Sequence, residues 1–199
     1  MKEKNLVETV ALYLSQIPGI GEKNSKRYAL WLAEHKDNLN KLIDSLSELS
    51  KNINICKKCF NITTNPDGIC DICNDDTRDK TTICVVETIE NLVEIELSDV
   101  YNGSYFVLGG VISPIYDIDN TIKRIEYLAK RVQEEGIKEL ILVLSSTTEG
   151  ELTMQYIKEK LKETGVKITK VASGIPIGAN INYIDQKTLI EAFKSRVVA

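Results

Sequence analysis

The sequence predicts an α/β protein built in several parts, and three observations predict it. Residues 1–53 carry apolar positions at helical spacing only. Residues 54–76 hold four of the five cysteines among Lys, Asn, Asp, Thr, Pro and Gly, a composition with little core of its own. From Thr77 onward, short β-branched runs alternate with helix-length segments, the pattern of a mostly parallel sheet with covering helices. Composition changes therefore mark segments at 1–53, 54–76, 77–172 and 173–199.

Each element follows from its own residues. Val7, Val10, Ala11 and Leu14 recur at i, i+3, i+4 and i+7 and form one helical stripe. Tyr28, Ala29, Trp31, Leu32 and Ala33 mark a second helix, and Leu39, Leu42, Ile43, Leu46 and Leu49 a third. "TTICVVE" reads as a strand and "TIENLVEIEL" as a helix. "YFVLGG" is a strand ending in glycines, followed by a helix over about 120–135. "ELILVLS", a helix over about 149–163 and "VKITKVA" complete the alternation. The last segment opens with "GIPIG" (Gly174 to Gly178) and closes with a helix near 187–197.

Bulk properties exclude several classes. The chain has 199 residues, 43% hydrophobic and 27% charged, which is ordinary for a globular protein. No apolar run approaches a membrane span, and no secretory leader is evident, so a cytoplasmic location is expected. The net charge of −4 means that any affinity for nucleic acid comes from a local patch.

Cys56-Lys-Lys-Cys59 and Cys70-Asp-Ile-Cys73 form two Cys-x2-Cys knuckles separated by ten residues. Four thiolates complete a tetrahedral Zn2+ site and leave no position for water, so such a site is structural. An iron–sulfur cluster or a rubredoxin-like iron is the alternative use of the same ligands. Cys84, inside an apolar strand, reads as a small core residue.

"IPGIGEKNSKR", Ile17 to Arg27, joins the first two helices. Gly19 and Gly21 admit conformations and close approaches that a Cβ would block. Free amides at the start of the second helix then face an anion, with Lys23, Lys26 and Arg27 beside it. A plain helical corner with glycine caps is the competing reading, and Glu22 favours it. The apolar-Pro-Gly-apolar-Gly turn resembles the helix–hairpin–helix DNA-binding motif.

Glu87 after the first strand and "SSTTEGE" after "ELILVL" resemble the Toprim fold of topoisomerases and primases. There a glutamate and an Asp-x-Asp hold Mg2+ for phosphoryl chemistry. Here the two aspartate positions are Ser145 and Thr147, while Glu87, Glu149 and Glu151 remain. The expectation is a Toprim scaffold without Toprim catalysis. The glutamates are then helix N-terminal residues or an acidic face for a partner. An enzyme reading would need Glu87 and Glu149 to hold Mg2+ for a nuclease or primase-like reaction.

In this order, "IPGIGEKNSKR", "CKKC" with "CDIC", "ICVVET", "YFVLGGVISP", "TTEGELT" and "ASGIPIG" resemble the bacterial RecR recombination-mediator family over nearly the whole chain. The resemblance implies a non-enzymatic protein that assembles ring-like tetramers and clamps single- or double-stranded DNA. It also implies work with RecO, and with RecF where present, to load RecA onto strands coated by single-strand-binding protein. Lys23 and Arg27 would face DNA, and Glu87, Glu149 and Glu151 would belong to the partner face. The last segment resembles the family's Walker B-like part, although Asn180 and Asn182 stand where carboxylates are usual and only Asp185 is acidic. Other departures are Glu22 in place of a proline and "IYDID" directly after "GGVISP". A zinc-stabilised DNA-binding adaptor outside recombination is a third reading.

Overall fold

The computed structural model describes residues 5–113, 118–172 and 174–196. The start of the "IYDID" stretch, with Pro114 before it, and the Val197 end of the expected last helix lie outside the described residues. The chain divides into two compact units, Met1–Ile53 and Asn54–Ala199.

The first unit is three helices, α1 (Leu6–Leu14), α2 (Glu22–Glu34) and α3 (Lys36–Asn52). Asn5 starts α1 by accepting a hydrogen bond from the Val7 amide at 3.1 Å, the usual role of an N-cap side chain. Ala11 on α1 and Ser25 and Ala29 on α2 are buried, so these two helices meet through small residues. The apolar stripe of α3 behaves differently. Leu42, Ile43, Leu46 and Leu49 all remain exposed, and no residue of that helix is buried.

The second unit opens with a two-stranded antiparallel ribbon, β1 (Asn54–Ile55) with β2 (Ile62–Thr63), and the short helix α4 (Asp71–Asn74). It continues with β3 (Asp79–Val86), α5 (Ile89–Leu97), β4 (Gly103–Val107), α6 (Ile118–Glu134), β5 (Glu139–Val143), α7 (Thr148–Lys160) and β6 (Lys167–Lys170). A 3-10 turn at Ile181–Tyr183 and α8 (Gln186–Lys194) end the described chain. The four longer strands form one sheet in the order β4-β3-β5-β6, with every pairing parallel.

Alternation along β3 explains the layering. Ile83 and Val85 face one side and join Phe106, Leu108, Ile125, Leu128, Leu140 and Ile157 in the larger core. Cys84 and Val86 face the other side with Leu92, Tyr105 and Val107. A central parallel strand is covered on both faces, so its four last residues are all buried. Each large side chain buried in this way contributes about 1.5–3 kcal/mol. At the carboxyl ends of β3 and β5 the chain order reverses, which places Glu87 and Ser145 at the switch point where open α/β sheets hold ligands.

Candidate metal centre and nucleic-acid interface

All four knuckle cysteines are buried, and their sulfur atoms lie within 4.8 Å of one another. They are the sole group of three or more His, Cys, Asp or Glu so placed among the described residues. Local hydrogen bonds make the turns. The Cys56 amide donates to Asn61 O at 2.6 Å, Phe60 N to Cys56 O at 3.0 Å, and Cys70 N to Cys56 Sγ at 3.3 Å. Side chains brace the intervening loop: Asn65 Nδ2 donates to Ile69 O and to Asp71 Oδ1, both at 2.8 Å, and Lys57 Nζ donates to Asp67 O at 2.9 Å.

Crowding sets the thiol chemistry. Cys59 Sγ and Cys70 Sγ are 3.5 Å apart. Hydrogen bonding with Cys70 and Cys73, together with burial, holds the Cys59 thiol far above its ordinary range. Hydrogen bonds from Cys59 and Cys73 push Cys70 down to about 2. Such a set ionises as a group only when a cation compensates it, and four soft donors at this spacing fit a tetrahedral divalent metal. The site can therefore hold a metal ion with no open coordination position. Cys84 is separate: burial raises its thiol to about 12, and it serves as packing.

Phe60, which follows the first knuckle, was not legible as a site residue. Its φ of +62° is unusual for a bulky side chain. The ring is fixed edge-on against Phe106 and Tyr127, with centroids at 5.3 and 5.5 Å, and under the Arg124 guanidinium at 4.5 Å. A segment poor in apolar residues is thus anchored on the larger core by one aromatic wedge.

The turn between α1 and α2 is built by Pro18 and Gly19. The Ile20 amide donates to Ile17 O at 3.0 Å, and Gly19 has φ of +84°, so this is a turn with proline second and glycine third. Gly21 differs from expectation. Its φ is −73°, open to any residue, and a Cβ there would meet nothing within 4 Å. Its backbone conformation does not require glycine, although glycine is favoured over alanine at a helix N-cap. Gly21 also provides no side-chain cap for α2, leaving that end of the helix to other acceptors.

The three cations on α2 are not equivalent. Lys26 Nζ lies 2.7 Å from Glu22 Oε1, one turn earlier, and holds that carboxyl below the usual carboxylate range. Glu22 therefore neutralises Lys26 locally. Lys23 and Arg27 stay exposed, with the Arg27 guanidinium 5.3 Å from the centre of the Tyr28 ring.

The acidic residues of the Toprim-like part do not converge. Glu87 Oε1 accepts a short hydrogen bond from the Ser145 amide. Ser145 Oγ and Thr147 Oγ1 are 3.1 Å apart, and Thr147 caps α7 by accepting from Gly150 N at 3.1 Å. Glu151 turns away, pairing with Lys187 of α8 at 3.1 Å, while Lys187 also donates to Ser146 O at 2.7 Å. Glu149 contributes its carbonyl to the Thr153 hydroxyl at 2.7 Å. Two hydroxyls, each already in a local hydrogen bond, supply none of the charge that Mg2+ requires.

Together these features define a class: a four-thiolate metal knuckle set into a Toprim scaffold, with a separate helical hairpin. A family model for the Toprim domain matches residues 81–172, and one for the RecR C-terminal region matches residues 174–197. The chain is 40% identical over 194 residues to recombination protein RecR of Amoebophilus asiaticus, covering 97% of this chain and 96% of that one. It is 38% identical over 191 residues to the RecR of Rubrobacter xylanophilus, covering 96% and 95%, and 40% over 192 residues to that of Porphyromonas gingivalis, covering 96% and 92%. The chain belongs to the RecR family. Among the described residues, no helix is long and apolar enough to cross a membrane.

Proposed function

We propose that this protein is a recombination mediator in DNA repair that grips DNA through the hairpin turn and recruits partners without chemical turnover. The observation that carries this reading is the α2 start: an uncapped helix end, open space over Gly21, and Lys23 and Arg27 exposed beside it. A phosphate placed there meets free amides and two cations, a grip that ignores base sequence. Gly19 shapes the turn, Gly21 keeps it open, and Lys26 adds charge once Glu22 yields it.

One such patch on a chain of net charge −4 binds weakly, so several hairpins acting together give useful affinity. The reading is therefore a homo-oligomeric clamp, a tetrameric ring, around single- or double-stranded DNA in the cytoplasm, nucleoid-associated during repair. RecO, and RecF where present, would dock on the face carrying Glu87, Glu149 and Glu151 and promote RecA loading on DNA covered by single-strand-binding protein. The four cysteines hold one structural Zn2+ per chain, the divalent ion best suited to a closed four-thiolate site.

The test is DNA binding across a salt series. Lys23→Ala with Arg27→Ala should weaken binding uniformly across sequences and reduce the log–log salt slope by about 2. Unchanged affinity and slope would refute the hairpin assignment. Stimulation of RecA loading in the presence of RecO separates mediation from a DNA adaptor, which would bind DNA yet leave loading unchanged.

A further inference from the structure

Three consecutive carbonyls of the first knuckle are each taken by a donor from the sheet-and-helix part of the unit. Tyr127 Oη donates to Lys57 O at 3.0 Å, Arg131 Nη1 to Lys58 O at 2.8 Å, and the Val107 amide to Cys59 O at 2.8 Å. Tyr127 and Arg131 stand one turn apart on α6, so a single helix face reads two successive peptide groups. The turn between Cys56 and Cys59 is thus fixed from outside the loop that contains it.

Arg131 is an unusual residue to find here. It is only 5% exposed, and a buried cation is costly unless its hydrogen bonds are met. They are met. Glu135 takes Nε at 3.0 Å and Nη2 at 2.8 Å in a two-pronged pair, which leaves Nη1 aimed at the knuckle. The guanidinium also lies 6.0 Å from the centre of the Phe106 ring. Nothing about the α6 sequence distinguishes this arginine from a solvated helix cation.

We propose that Tyr127 and Arg131 are positioning residues of the metal centre. They hold the Cys56–Cys59 turn in ligand-binding shape before metal arrives, so α6 sets how long the ion stays. Neither side chain is a ligand; each acts through a carbonyl between two ligands. Ordering the turn is then accomplished when the α/β core folds and not when the ion binds, the general advantage of preorganisation. The same grip continues into the sheet. After the Cys59–Val107 bond, the next two amides, Leu108 and Gly109, donate to Val86 O and Glu87 O at 2.9 and 2.8 Å. This inference rests on the reading that the four thiolates hold zinc.

The experiment uses the full chain. Metal content is measured first, and zinc transfer to an excess of a chromogenic chelator is then timed. Arg131→Met should speed release about 10–100-fold, the usual cost of losing an outer partner of a metal site. Tyr127→Phe, which removes one hydroxyl, should act in the same direction, and Arg131→Lys should restore part of the loss. Val132→Ala lies next in sequence but in the larger core. It should lower the melting temperature while leaving release at the wild-type rate. Wild-type release from both Arg131→Met and Tyr127→Phe overturns the proposal, as does equal acceleration by Val132→Ala, which would mark general destabilisation. If Arg131→Met does not fold, the Tyr127→Phe comparison decides alone. A chain that purifies without metal overturns the zinc reading and this inference together, whereas zinc-loaded protein with unchanged release overturns only the second.

Discussion

The carboxylate of Glu87 accepts the backbone amide of Ser145, so the acid at the end of β3 ties down the chain leaving β5. In a Toprim enzyme an acid at this place serves a cation. Here it serves the backbone.

Glu87 should therefore matter for stability and not for turnover. Glu87→Ala leaves the Ser145 amide without its acceptor in a partly buried turn, which costs about 1–3 kcal/mol. Urea unfolding monitored by circular dichroism should show the lowered midpoint. Labelled DNA incubated with Mg2+ should remain intact with wild type and variant alike. Cleavage or synthesis lost in Glu87→Ala would instead support an enzyme.

Gly150 should be the least replaceable glycine of this turn. A Cβ there would overlap the Ser145 carbonyl oxygen, and backbone cannot yield as a side chain does. Gly150→Ala should thus cost more than about 3 kcal/mol or fail to fold, read as lost soluble yield or a collapsed denaturation midpoint.

Gly19 and Gly21 should separate cleanly. Gly19→Ala forces a side chain into φ of +84° and costs about 1–2 kcal/mol. Gly21→Ala meets no atom and loses only a helix-cap preference, about 0.5 kcal/mol. Its Cβ nevertheless fills the space over the α2 amides. DNA affinity of Gly21→Ala should fall with little change in melting temperature, as measured by fluorescence anisotropy beside a thermal melt.

Removing metal should release four thiols and not five. Chelator treatment should make Cys56, Cys59, Cys70 and Cys73 reactive to a thiol reagent within the time of metal loss. Cys84, with its thiol raised to about 12 by burial in the sheet, should react only on unfolding. Mass spectrometry after alkylation counts the labels.

The Arg131–Glu135 pair should give stability a defined pH window. Hydrogen bonding to Arg131 holds the Glu135 carboxyl below its ordinary value, so its contribution is present above the unfolded value of about 4.3 and is lost as pH falls through the lower folded one. Glu135→Gln should be less stable than wild type at neutral pH, with the gap closing under acid. A gap independent of pH would rule out the charged pair. The pair is partly open to solvent, so the gap is modest.

Much of this protein was legible in its residues. Cys-x2-Cys spacing names a metal site because two thiolates per turn are needed to meet one ion, and that requirement is local. The alternation from Thr77 named the parallel sheet because burial on both faces demands continuous apolar strands, as β3 shows. Pro18-Gly19 named the hairpin turn because one φ must be positive. By contrast, the division of labour among Lys23, Lys26 and Arg27 appeared only when helix geometry brought Glu22 under Lys26.

What tertiary structure alone decided is how the parts are spent. Local chemistry determined that a four-thiolate knuckle exists; only the fold brought Tyr127 and Arg131 to it, from about seventy residues away in sequence. Likewise the sequence determined that Toprim aspartates had become Ser145 and Thr147, while the fold decided that Glu87 binds an amide and that Glu151 pairs with Lys187. The reason is physical. Ligand spacing, turn conformation and strand burial are set over a few neighbouring residues, whereas a side chain's partner depends on which distant backbone the packed core delivers to it.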